Sequence, residues 1–253
     1  MAEARQEAES ATSVDPAEIA RFQAQADSWW DLEGKFKPLH RLNPLRLDFL
    51  RREFGRHFHR DLDAMRPFTG LRLLDVGCGG GLLSEPLSRL GFEVVGVDAG
   101  ERNIAAARAH AEETGLAIDY RAVTAESLAE AGERFDVVLA MEVVEHVADL
   151  DGFIDTISSL VKPGGALALA TLNRTPKAFL LAVVGAEYVL RWLPRGTHQW
   201  KKFVRPSELA AGLRRNGLAV RELTGISYVP YGDSWKLSSD LDVNYMALAT
   251  KPG

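Results

Sequence analysis

Apolar positions along this chain follow two rhythms that alternate through its middle. Short apolar runs fall at Leu71–Val76, Glu93–Asp98, Ile118–Ala122, Phe135–Met141 and Ala166–Thr171. Runs of this length, rich in Val, Leu and Ile, read as buried strands. Between them, Leu82–Leu90, Arg102–Thr114 and Asp151–Leu160 carry apolar residues at helical spacing. Strand and helix in alternation predict an α/β fold, a mostly parallel sheet with helices on both faces. Lys162-Pro163-Gly164-Gly165 reads as a turn between a helix and a strand. A helix at Ser207–Asn216 and late strands at Leu218–Ile226 and Asn244–Thr250 would bring the sheet to seven strands.

The N-terminal part is helical. Asp15-Pro16-Ala17-Glu18 supplies a capping acceptor, a proline at the first helical position and a Glu three residues after the cap. Ile19, Phe22 and Ala26 then recur at helical spacing, and Trp29-Trp30 follow. Prolines 38 and 44 predict that Phe36–Arg46 is not one helix, with a new helix from Leu45 to His59. Residues 1–14 have the composition of a disordered lead-in, with no apolar core of a signal peptide. Residues 15–253 are expected to form one domain: a helical cap (15–69), a ligand-binding core (70–171), an insertion (172–206) and C-terminal strands (207–253).

Charge changes the picture in one place. Lys and Arg number 30 against 35 Asp and Glu, a net charge of −5. Such a chain is a poor candidate for binding nucleic acid over a wide surface. Yet no acid lies between positions 188 and 207, where Arg191, Arg195, Lys201, Lys202 and Arg205 are interleaved with Trp192, Trp200 and Phe203. Just before lies the apolar stretch Ala178–Leu193, a helix of roughly 24 Å, short of the roughly 20 residues a bilayer span needs. Apolar and aromatic groups beside cations suit docking on an anionic membrane surface. The alternatives are a helix packed over the site, or a local RNA contact. Cys78 is the only cysteine, which excludes an intramolecular disulfide and a cysteine-rich zinc site and fits a cytoplasmic, reducing compartment.

The strongest chemical signal is Leu73-Leu74-Asp75-Val76-Gly77-Cys78-Gly79-Gly80-Gly81, a glycine loop between the first strand and the next helix. It lets a ligand approach the backbone and leaves N–H groups free. Asp98, ending the second strand, stands where a carboxylate would accept ribose hydroxyls. The dinucleotide fingerprint needs a third glycine at position 82, which is Leu. An adenosine ligand without a pyrophosphate, such as S-adenosylmethionine, suits Gly77, Gly79 and Asp98; the alternative is a structural turn with no ligand.

These two motifs resemble those of the seven-stranded, Rossmann-like S-adenosylmethionine-dependent methyltransferases. Further segments resemble the ubiquinone biosynthesis O-methyltransferase family: Trp29–Gly34, Phe36–His40, Asn43–Arg46, Thr171–Arg174, Ala182–Tyr188 and Asp242–Met246. The resemblance implies O-methylation of catechol-type hydroxyls on polyprenylated ubiquinone precursors. It also implies partners in that biosynthesis and a peripheral position on the inner face of the cell membrane. It implies contacts to the methyl donor from Arg46, Gly77, Asp98 and Met141. From the residues alone, Arg46 reads rather as a solvated helix-face arginine, and Met141 equally as core packing. Ala125-Glu126 could meet the adenine amine.

A phenolic hydroxyl is a weak nucleophile until it loses its proton. Glu142, Glu145 and His146 follow the fourth strand at i, i+3 and i+4, one face if that turn is helical. They could hold Mg²⁺ or another divalent ion. Alternatively His146, with Glu145 beside it, is a general base, or the turn only shapes the pocket. Asp149 and Asp151 read as helix-capping residues; His40 and His198 are further base candidates in loops that could fold over the substrate, and read first as surface histidines.

Overall fold

The apolar runs assemble into one twisted sheet. The computed structural model describes residues 13–181, 199–229, 231 and 234–253. In chain order its elements are α1 (Pro16–Gln23), α2 (Lys37–His57), β1 (Arg72–Val76), α3 (Ser84–Arg89), β2 (Glu93–Val97), α4 (Glu101–Glu113), β3 (Asp119–Arg121), α5 (Ala125–Glu130), β4 (Phe135–Met141), α6 (Leu150–Ser159) and β5 (Val161–Leu172). There follow a helical turn at Pro176–Ala178, then α7 (Pro206–Arg215), β6 (Ala219–Val229), β7 (Ser234–Ser238) and β8 (Asn244–Thr250). The strand order is β3-β2-β1-β4-β5-β8-β6-β7. The first five strands run parallel; β8 is antiparallel to both β5 and β6.

The burial pattern explains the architecture. β4 is buried along almost its whole length, as a parallel strand covered on both faces must be. On one face, Phe153, Ile157, Leu209 and Leu213 of α6 and α7 close the core. On the other, Phe49, Leu50, Phe54 and Leu87 of α2 and α3 do so, with Phe68 stacked on Phe92 at 4.4 Å. The chain reverses its direction of winding between β1 and β4. The crevice at the carboxyl ends of these strands is therefore the place where a sheet of this kind takes a ligand.

Three expectations need correction. Phe36–Arg46 is not broken: α2 runs from Lys37 to His57 through Pro44. Pro38 falls in its first turn, where no N–H is needed. Pro44 forfeits one interior hydrogen bond, and the burial of Leu42, Phe49, Leu50 and Phe54 along the helix holds it together nonetheless. The sheet has eight strands rather than seven, because Ser234–Ser238 pairs with β6 at the sheet's edge. Finally, β5 begins at Val161, ahead of the expected turn. Its pairing jumps from Phe135↔Val161 to Val137↔Ala166, so the turn survives as a bulge within the strand. Residues 1–12 and 182–198, which include most of the expected lead-in and apolar helix, lie outside the described residues. Among the described residues no helix is long and apolar enough to cross a membrane.

Candidate active site

The glycine loop folds back over the end of β2. Gly77 has φ +68° and a Cβ there would lie 2.7 Å from Val143 Cγ2, so the position needs glycine twice over. The N–H groups of Gly77 and Cys78 both donate to the Val97 carbonyl, at 2.8 and 3.0 Å. Gly79 N–H donates to Asp98 Oδ2 at 3.1 Å. The other carboxylate oxygen, Oδ1, accepts from Gly100 N–H at 2.7 Å and Asn103 Nδ2 at 3.1 Å. Burial pushes the Asp98 carboxyl up, and these three bonds pull against it. Beneath the loop, Asp75 is pushed up to about 6 by burial, opposed by a 2.6 Å bond from Ser84 Oγ and reinforced by the charge of Asp98.

The N-terminal segment roofs this loop. A Cβ on Gly79 or Gly80 would lie 2.5 or 2.4 Å from Trp29. The glycines at 79 and 80 are thus required by the chain's own tryptophan, a role that sequence reasoning did not find. Trp29 donates to Asn103 Oδ1 at 3.0 Å and stacks on Phe36 at 3.7 Å. Trp30 donates to the Gly80 carbonyl at 2.9 Å and stacks on His110 at 3.5 Å. Under this roof lies a largely apolar cavity of about 920 Å³ that runs from Gly77 and Asp98 past Met141 to Ile226, Tyr228 and Trp235.

The turn after β4 forms the cavity's middle. Glu142 has φ +58°, a conformation that costs a non-glycine residue energy and is kept where the surroundings enforce it. Its carboxylate pairs with the buried Arg46 guanidinium. Glu145 is buried; Oε2 accepts from Thr171 Oγ1 at 2.8 Å, while Oε1 has no partner. Burial raises the Glu145 carboxyl well above its usual range, and the neighbouring Glu142 adds to this. His146 turns away from both, its Nδ1 3.0 Å from Glu18 Oε2 on α1 and its ring edge-on to Phe22 at 5.2 Å. Burial lifts the Glu18 carboxyl, but the bond from His146 and the charges of His146, Arg21 and Lys202 bring it below its ordinary value.

The three residues considered for Mg²⁺ are therefore committed to three different partners. Among the described residues no group of three His, Cys, Asp or Glu side chains is placed to hold a metal. Arg46 is neither solvated nor exposed. Glu126 accepts from the N–H and hydroxyl of Ser13, at 3.0 and 2.5 Å. Asp149 caps α6 through Gly152 N–H at 3.1 Å, and Asp151 lies in that helix's first turn, paired with Arg215 at 2.5 Å. His40 Nε2 lies 2.8 Å from the Trp29 carbonyl oxygen. His198, Arg191, Trp192 and Arg195 lie outside the described residues. Of the remaining basic segment, Lys201 is exposed, Lys202 pairs with Asp15 at 2.8 Å, and Phe203 is buried beside Leu172 and Ala178.

A methyltransferase-domain family model matches residues 46–223. The ubiquinone biosynthesis O-methyltransferase of Paramagnetospirillum magneticum is 60% identical over 94% of this chain and 96% of its own length. That of Cereibacter sphaeroides is 56% identical over 96% of this chain and 99% of its own. The chain belongs to the ubiquinone biosynthesis O-methyltransferases. As such it is an S-adenosylmethionine-dependent O-methyltransferase.

The fold of this methyltransferase recurs in far more distant proteins. A magnesium protoporphyrin IX methyltransferase from Synechocystis, solved with bound S-adenosylmethionine, superposes with a TM-score of 0.61 at 17% identity, covering 95% of this chain and all of that one. A cyclase superposes with a TM-score of 0.55 at 20% identity, over 80% of each chain. The fold is thus shared beyond methyl transfer, and function rests on the site. Here the donor set suits an adenosine ligand. Asp98 offers acceptor capacity beyond its three bonds, and Gly77 and Met141 line the same cavity.

Proposed function

We propose that this enzyme methylates catechol-type hydroxyls of polyprenylated ubiquinone precursors, in contact with an anionic membrane surface and with other proteins of that biosynthesis. Gly77, Gly79 and Asp98 hold the adenosine and ribose, Met141 packs on the adenine, and Arg46 exchanges Glu142 for the donor's carboxylate. S-adenosylmethionine, when bound, supplies a methyl group on a sulfonium, already activated for in-line displacement. The chain's own work is to position the acceptor and take its proton. His146 is the base. The Glu18 carboxylate stands 3.0 Å from Nδ1, which favours the Nδ1–H tautomer and leaves Nε2 to receive the phenolic proton. Glu145, whose burial makes its carboxyl hold a proton more tightly than usual, holds the turn through Thr171. The basic and aromatic segment over 191–205 meets lipid headgroups.

The single observation carrying this reading is the match to family relatives along nearly the full chain. The apolar end of the cavity supports it, since a prenylated phenol needs such a surface. The test is turnover of a prenylated catechol with S-adenosylmethionine, the product identified by mass. A gain of one methyl group on oxygen is expected; no gain on any catechol would overturn the reading. Calorimetric titration should show binding of S-adenosylmethionine, and a preference for NAD would defeat the assignment of the glycine loop.

A further inference from the structure

The edge strand β7 carries none of the residues assigned to the methyl donor, yet it contributes to the cavity. β7 pairs antiparallel with β6 in the register Ile226↔Leu237, Ser227↔Lys236 and Tyr228↔Trp235. Residues directly opposite each other project to the same side of a sheet, and alternate residues to opposite sides. One face of this ribbon is therefore Ile226, Tyr228, Trp235 and Leu237. The Tyr228 and Trp235 rings lie 5.1 Å apart. Ile226, Trp235 and Leu237 pack into the same cluster as Leu42, Phe49 and Leu50 of α2. Ile226, Tyr228 and Trp235 line the far end of the cavity, with Leu172, Leu181 and Val243. Leu181 is half exposed, as are its neighbours Phe179 and Leu180. An apolar wall thus leads from the turn after β4, between α2 and the ribbon, to exposed apolar side chains at the mouth. The ion pair of Lys177 and Asp240, at 2.5 Å and partly exposed, stands at its rim.

We propose that the β6–β7 ribbon is the isoprenoid subsite of this enzyme, with Tyr228 and Trp235 the wall along which the acceptor's tail leaves the cavity. The inference rests on the acceptor reading above and deepens it. The catechol head lies at His146, and a tail on the same ring extends toward the ribbon. An unbranched polar substituent would gain nothing from this wall, whereas each buried isoprene unit removes apolar surface from water.

The experiment compares two acceptors that differ only in the tail: a catechol with a short isoprenoid chain, and the same catechol with a methyl group in its place. The intact enzyme should prefer the tailed acceptor in kcat/KM. Trp235→Ala and Tyr228→Ser should each reduce that preference about tenfold, chiefly through KM, and Trp235→Leu, which keeps the wall apolar, should recover most of it. Titration with S-adenosylmethionine checks that each variant retains the folded donor site. A preference that both variants leave intact, or wild-type enzyme with no preference, would overturn the subsite while the methyltransferase reading stood. Turnover of neither acceptor by wild-type enzyme would remove the acceptor reading and the subsite with it.

Discussion

Asp98 accepts three N–H groups of its own chain, so it shapes the glycine loop in addition to the ribose contact proposed for it. Asp98→Ala should therefore weaken S-adenosylmethionine binding about tenfold to a hundredfold, the loss expected when charge-assisted hydrogen bonds go; calorimetric titration measures it. His146→Ala should lower kcat by about a hundredfold or more while donor affinity holds. An equal fall in donor affinity would make the residue structural. Asp75 gives a pH signature. Its carboxyl is raised on folding, so the folded state binds that proton more tightly. The stability it lends is present at low pH and is lost as pH rises from the ordinary 3.8 through about 6. Asp75→Asn, which can still accept from Ser84, should gain on wild type across that window by up to about 3 kcal/mol. Urea midpoints at the two ends of the window check this, and a constant difference would contradict it. That the glycine loop and Asp98 meet at the cavity was legible in the sequence, because their neighbours in the chain announce them. Trp29 and Glu18 were not: their partners, Gly79 and His146, are reached only by tertiary folding, and no local spacing encodes that meeting.

At the scale of elements, periodicity carried the reading wherever an element is buried on a definite face. β4 and β8 came out with the bounds expected of them, and α1 starts at its Asp15 cap, whose side chain accepts from Ala17 N–H. The pattern failed where tertiary packing overrides propensity or where an element buries little. β7 carries only Trp235 and Leu237 as apolar residues in five and sits at an edge, so its sequence resembles a loop. α2 is the opposite case, a helix held by its apolar face against a proline signal. Replacing that proline tests the balance. Pro44→Ala restores a donor to the helix interior at the cost of a freer unfolded chain. A net gain of about 1 to 3 kcal/mol in unfolding free energy is expected, read as a higher denaturant midpoint with an unchanged slope.

For the whole molecule, what matters is where charge stands relative to the cavity mouth. The chain is acidic overall, yet five cations stand between 191 and 205, in a stretch of sequence that begins ten residues after Leu181, one of the exposed apolar residues at that mouth. Lys202 is held by Asp15 and so ties the N-terminal roof to this segment, whereas Lys201 faces solvent. A substrate with an isoprenoid tail partitions into lipid, and a surface that brings the mouth to a bilayer shortens its path to His146. Reversing charge without cutting the Lys202–Asp15 tie isolates this effect. Arg195→Glu with Lys201→Glu should weaken co-sedimentation with anionic vesicles about tenfold or more at low salt, since each cation near such a surface contributes about 1 kcal/mol. The difference should shrink as salt is added. Turnover of a tail-less catechol in solution should not follow the loss of vesicle binding, but turnover of a long-tailed acceptor presented in vesicles should. Vesicle binding that is indifferent to both substitutions and to salt would leave the positive segment without a role at the membrane, and the apolar mouth would then have to recruit its substrate by hydrophobic contact alone.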